Sequence, residues 1–154
     1  MTRHIEESSS EELSLVDYRA LADFRFQIRR FLRFSEDAAR AAGIEPQQHQ
    51  LLLAVKGLPD GVSATIGEIA TRLQIQHHSA VELVGRLTAK GAVERIPGEY
   101  DRRQVVVRLT RTGEALLRKL SLSHHEELEK FGPELGRALQ SVMRRVKRAH
   151  ESAI

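Results

Sequence analysis

Apolar residues recur every three or four positions at both ends of the chain, and a different pattern lies between. Over 16–42, Leu21, Phe24, Ile28, Phe31 and Leu32 share one helical face, with Arg25, Arg29, Arg30 and Arg33 between them. That is the amphipathic spacing of a long helix. Gly43 suits its C-terminal stop, and Pro46 suits the first turn of a second helix over 47–58. Leu58-Pro59-Asp60-Gly61 is a turn. Thr65-Ile66-Gly67-Glu68 has the composition of a capping box, in which the Thr and Glu side chains each satisfy a free backbone N–H. It opens a short helix, Ile66–Leu73. A brief turn at 74–76 leads to another helix over 77–90, ended by Gly91. Two short helices joined by a tight turn are the skeleton of a helix-turn-helix.

The period then drops to two. Val93–Pro97 reads as a strand, 98–103 as a polar hairpin tip, and 104–110 as a second strand rich in β-branched residues. Helical spacing resumes at Thr112 with Leu116, Leu117, Leu120, Leu128 and Phe131. Gly132-Pro133 is expected to kink or break that helix, and a last helix carries Leu135, Leu139, Val142, Val146 and Ala149. The terminal helices are long for a chain of 154 residues. Their stripes either complete one core or pack on a second copy, and periodicity does not separate the two. Residues 1–13 read as a frayed lead-in, where Ser8, Ser9 and Ser10 precede Glu11 and Glu12 in capping order.

Composition narrows the class. Hydrophobic residues make up 41% and charged residues 29%, a globular balance. Apolar runs such as 51–55 are too short to cross a bilayer, so no membrane partner is expected. The acidic N-terminus lacks the features of a secretory signal, which points to the cytoplasm. The absence of cysteine removes disulfides, thiolate metal sites and thiol nucleophiles. The net charge is only +3, yet Arg86, Lys90, Arg95, Arg102, Arg103, Arg108, Arg111 and Arg118 fall in one stretch, and a local basic face suits a polyanion.

The stretch 85–95, Gly-Arg-Leu-Thr-Ala-Lys-Gly-Ala-Val-Glu-Arg, resembles the end of the recognition helix of MarR-family regulators running into the wing. Tyr100-Asp101-Arg102-Arg103 followed by 104–113 resembles that family's wing, and 45–53 and 65–73 resemble its second helix and the helix before recognition. The resemblance covers roughly 16–150. It implies a mainly α fold with a small β-hairpin wing. A winged helix-turn-helix over 46–110 would be flanked by long dimerisation helices at 16–44 and 112–150. It also implies a homodimer on a pseudo-palindromic operator, usually a repressor, and in many members a small aromatic or phenolic effector. Glu45 departs from the Thr or Ser common before the Pro, and the His77-His78-Ser79 start of the recognition helix is unusual, so no operator sequence carries over.

A helix fits the major groove, and the N-terminal residues of the second helix reach base edges. Here those are Gln76, His77, His78, Ser79 and Glu82, with Ala80, Val84 and Leu87 facing inward. Glu82 has a second reading as an i,i+4 partner of Arg86. Arg102 and Arg103 at the hairpin tip suit the minor groove, with Asp101 orienting Arg103. Thr65 turns the positive end of its helix toward a phosphate. Arg72, Arg86 and Arg95 are backbone-contact candidates. By the resemblance, an effector pocket would draw on Phe24, Arg25, Ile28, His49 and Leu53, although Phe24, Ile28 and Leu53 also read as core and His49 as a satisfied buried imidazole.

His124-His125-Glu126-Glu127 invites a metal reading, but adjacent helical residues diverge by about 100°, so a metal would need a further ligand such as His49. No metal and no cofactor is expected. No phosphate loop or nucleophile motif is present, so an enzyme is not expected. The expected partners are double-stranded DNA, a second copy of the chain and a small effector. The rival readings are a metal-sensing or effector-independent regulator of the same fold, and a winged-helix module that binds protein.

Overall fold

The computed structural model describes residues 13–152. The Ser8–Ser10 capping reading and nearly all of the expected lead-in lie outside the described residues, as does the side chain of Ala149. Five helices and one hairpin follow in order: α1 (Leu15–Ala41), α2 (Pro46–Lys56), α3 (Ile66–Leu73), α4 (His77–Ala89), β1 (Val93–Pro97), β2 (Val105–Leu109) and α5 (Arg111–Ser152). This is the mainly helical fold with a small hairpin that the periodicity predicts. The chain divides into two compact units, one over 33–127 and one of two helical segments, 13–32 and 128–152.

In the 33–127 unit the core is contributed by every element. Leu51 and Leu52 of α2, Ile69 of α3, Ala80, Val84 and Leu87 of α4, Val93 of β1 and Val107 of β2 join Leu117 and Leu120 of α5 in one buried cluster. Ala80, Val84 and Leu87 are completely buried, as their three- and four-residue spacing requires. Fully burying a Val or Leu side chain stabilises the fold by about 1.5–3 kcal/mol, so the inner face of α4 anchors it. Its outer face is left to solvent.

Helix ends follow side-chain chemistry. Thr65 accepts the N–H of Glu68 at 3.2 Å, which is half of the expected capping box. The other half does not form, because the Glu68 carboxylate instead takes the Arg72 guanidinium at 2.8 Å. A reciprocal box appears where none was expected: Glu45 caps α2 while Gln48 bonds back to the Glu45 N–H at 3.0 Å. Ser14 and Asp17 cap α1 in the same manner. The Ser14 hydroxyl at 2.6 Å and the Ser14 N–H at 2.8 Å, both donating to the Asp17 carboxylate, with Arg145 at 3.0 Å, hold that carboxyl down at about 2. Between α3 and α4, Gln74 adopts the left-handed conformation (φ 54°, ψ 44°), a role usually filled by Gly or Asn.

The hairpin is antiparallel, from Val93 opposite Leu109 to Pro97 opposite Val105. The segment before α3 adds to its edge: Val107 donates to the Ala64 carbonyl at 2.9 Å, and Thr65 bridges Val106. The start of α3 and the wing are thereby one hydrogen-bonded piece. Thr110 closes the other side, donating to the Gly91 carbonyl at 2.5 Å and accepting from Gly113 N–H at 3.1 Å as α5 begins.

The expected break at Gly132-Pro133 does not occur, since α5 runs unbroken through Pro133. A proline within a helix forfeits one backbone hydrogen bond and costs about 3 kcal/mol. Tertiary contacts offset part of it. In the unit formed by 13–32 and 128–152, the Arg30 guanidinium lies 3.7 Å over the Phe131 ring and reaches Glu134 at 2.9 Å, holding both sides of the proline to α1.

Candidate nucleic-acid interface

Two neighbouring elements of the 33–127 unit present polar groups outward. Helix α4 begins at Gln76, whose backbone is extended and whose side chain makes no capping bond. His77, His78, Glu82 and Arg86 are exposed, while Ser79 is half-buried. Glu82 and Arg86 stand 3.9 Å apart, so the i,i+4 pairing is present, loose and solvated. A pair this open is worth little in stability, and both groups stay available to a ligand. Arg95 on β1 crosses toward α4. Its guanidinium comes within 3.9 Å of the place a Cβ on Gly85 would occupy, which puts a cation beside the middle of that outer face.

The hairpin tip is built around Asp101. Its carboxylate accepts the Arg103 backbone N–H at 3.0 Å and the Arg103 Nε at 3.2 Å. The same bonds hold the Asp101 carboxyl below the usual carboxylate range. Asp101 thus orients Arg103, as expected, while the Arg103 side chain remains 92% exposed. Arg102 is exposed beside it. Below the tip, Glu94 and Arg108 pair across the strands at 2.7 Å, neutralising one of the arginines counted toward the basic stretch. Arg72 is likewise engaged by Glu68. Tyr100, not singled out from sequence, is 86% exposed next to the two tip arginines. A lone aromatic between polar residues carries no periodic signal, so only its exposure draws notice.

The expected effector residues divide between the two units. Phe24, Arg25 and Ile28 lie on α1 in the unit of 13–32 and 128–152, Phe24 and Ile28 half-buried and Arg25 exposed. His49 and Leu53 lie on α2 in the other unit. The core reading of Leu53 is corrected: it is 46% exposed, because Leu51 and Leu52 occupy the inward positions of α2. His49 is buried, yet its Nδ1 has no hydrogen-bond partner, so it is not the satisfied imidazole expected. Burial, and then the neighbouring His124, hold its pKa below the ordinary 6.5. His125 is exposed, whereas His124 turns inward to Ser35 and the Leu120 carbonyl. Among the described residues no three His, Asp or Glu side chains gather where a metal would bind, and no helix is long and apolar enough to cross a membrane.

A model described as MarR family matches residues 42–104, the span from the end of α1 to the wing tip. The transcriptional activatory protein BadR of Rhodopseudomonas palustris is 30% identical over 76 residues, 49% of this chain and 43% of that protein. The match therefore spans less than half of that relative. A mutant of MarR from E. coli complexed with operator DNA has a similar structure (TM-score 0.61, 20% identity, 87% of this chain and 99% of that one). So does CouR of Rhodococcus jostii bound to p-coumaroyl-CoA (TM-score 0.67, 18% identity, 90% and 94%). The fold is thus that of these two solved structures, and 42–104 is similar to the MarR family model.

Proposed function

We propose that this chain, a MarR-family winged-helix protein, binds duplex DNA in the cytoplasm as a symmetric homodimer, represses from a pseudo-palindromic operator, and releases it on binding a small effector. The observation that carries the reading is the outer face of α4. Its apolar side is sealed into the core, while His77, His78, Glu82 and Arg86 stand exposed with the Arg95 guanidinium alongside. Side chains at the start of a groove-bound helix contact base edges, and His, Gln and Glu can meet purine edges or a cytosine amine. Thr65 brings the N-terminus of α3 and its unsatisfied N–H groups toward the backbone. Arg72, Arg86 and Arg95 supply phosphate contacts, and Arg102 and Arg103 enter the minor groove.

Selection of bound duplexes from a random pool tests this directly. The expected product is an inverted repeat with half-sites about one helical turn apart, roughly 34–36 Å. Affinity for it should fall with salt at a log–log slope near −7 if a dimer neutralises about eight phosphates. Binding that is indifferent to salt and to sequence would sink the reading.

The similar CouR structure holds an aromatic acyl thioester. In this chain Phe24 and Ile28, with Arg25 for an acidic group, are proposed effector contacts on one unit, and His49 and Leu53 are proposed ones on the other. The sign of regulation has a second reading, because the relative BadR is named as an activator. A promoter–reporter fusion with and without the chain separates repression from activation.

A further inference from the structure

The 33–127 unit contains a polar cluster that plays no part in the DNA-reading surface. His49 comes from α2 and is 2% exposed, and Ser35 comes from α1 at 6%. His124 comes from α5. The His49 and His124 rings lie 4.9 Å apart between centroids, tilted by 49°. Phe34 of α1 packs edge-on against His124 at 5.3 Å. The His124 Nδ1 meets the Leu120 carbonyl at 2.7 Å. A carbonyl only accepts, so Nδ1 carries the proton. The Nε2, 2.8 Å from the Ser35 Oγ, then accepts from the hydroxyl when the ring is neutral. Among the described residues, the buried Nδ1 of His49 has no hydrogen-bond partner.

That arrangement suits two neutral imidazoles. A proton on His124 Nε2 is tolerable, since the Ser35 hydroxyl can rotate and accept. The resulting cation would then face His49 from 4.9 Å between ring centroids in an interior where charge is costly. A proton on His49 would meet first its own burial and then that neighbouring charge. On α1, Glu36 and Asp37 are engaged by Arg40 and Arg33. On α2, the Glu45 carboxylate caps the helix start. On α5, His125 is exposed and Glu127 is half-buried, three residues beyond His124. The group whose charge acts on His49 is His124 itself.

We propose that His49 and His124, with Ser35, form a proton-sensing latch that ties α2 to α1 and α5 while neutral and loosens in mild acid. Helix α2 is placed to transmit the change, because it packs against α3 and α4, which carry DNA-facing residues, and against β2, which follows the wing tip. The sign follows from linkage. The folded state binds the proton less readily than the unfolded chain, whose histidines titrate near 6.5. Stability is therefore full above that value, and is lost as pH falls from it toward the lower folded-state value. The consequence for operator affinity rests on the DNA-binding reading above; the consequence for stability does not.

The test is thermal unfolding of the full chain between pH 8 and pH 5 at fixed salt, alongside operator affinity over the same range. The midpoint of the native chain should fall by about 3–5 °C for each unit separating the folded and unfolded titrations. His49→Phe, which keeps a ring of similar size, should flatten that fall. A His77→Asn, His78→Asn double variant should keep it. Operator affinity of the native chain should drop several-fold over the same interval. Should His49→Phe fail to fold, carbon–proton NMR of the seven histidines in the native chain serves instead, with an acid-shifted His49 expected. A flat native profile, a His49→Phe profile as steep as the native one, or seven independent ordinary titrations would each overturn the latch. Failure of every duplex to bind at any pH would instead remove the DNA-binding reading, leaving the stability measurement to judge the latch.

Discussion

Asp101 shows how one acidic side chain can serve a surface proposed to meet a polyanion. Its carboxylate is spent on the Arg103 N–H and guanidinium, which fixes where that arginine points and leaves Arg102 unrestrained. If the tip meets DNA, Arg102→Ala and Arg103→Ala should each weaken binding about equally on all duplexes and reduce the salt slope by about 1. Asp101→Ala should weaken binding as well, although it removes a negative charge, because Arg103 loses its orientation. Fluorescence anisotropy across a salt series measures all three. Tighter binding by Asp101→Ala would show the carboxylate to be only repulsive. His77→Ala, by contrast, should alter which base pairs are preferred, since base-edge contacts carry sequence and phosphate contacts do not.

Within elements, α5 carries two glycines in opposite circumstances. A Cβ on Gly113 would run into the Ala92 carbonyl, where the first turn of α5 presses against the start of β1, whereas one on Gly136 would meet nothing within 4 Å. Gly113→Ala should cost about 1–3 kcal/mol through overpacking. Gly136→Ala should stabilise by about 0.8–1.0 kcal/mol through helix propensity. Urea unfolding of both variants decides the matter, and similar midpoints would contradict the close approach at Gly113. The same helix shows why sequence misjudged Pro133. The rule that proline ends a helix is local, and the Arg30 contacts to Phe131 and Glu134 come from the far end of the chain, 104 residues away for Glu134. The Thr65 box failed for a related reason, since Glu68 had a closer partner in Arg72 one turn along.

For the molecule as a whole, the unit of 13–32 and 128–152 leaves apolar side chains uncovered on both segments. Leu15, Leu21 and Phe26 of α1 are 63%, 43% and 60% exposed, and Leu139, Met143 and Val146 of α5 are 44%, 56% and 46% exposed. Met143 and Val146 also line an open apolar groove with Gln140, Lys147 and His150. An apolar face of this kind marks a protein interface, and a symmetric dimer would satisfy it with identical patches. Leu139→Lys combined with Met143→Lys should therefore yield a monomer at micromolar concentration and lower operator affinity, because each half-site loses its tethered neighbour. Sedimentation equilibrium reads the first effect. A double variant that stays dimeric would move the interface elsewhere.

Period and punctuation in the chain were enough to specify the order of helices and hairpin, the inward face of α4 and the Asp101–Arg103 tip. Each of these depends on residues close in sequence, where backbone geometry converts spacing directly into facing. Three-dimensional packing alone decided that Pro133 would lie inside a helix, that Leu53 would face outward, and that His49 would meet His124 beside Ser35. Ser35 and His124 are 89 residues apart. No spacing rule joins such positions, because their meeting depends on how whole helices pack, and that is settled by the sum of many buried contacts rather than by any local pattern.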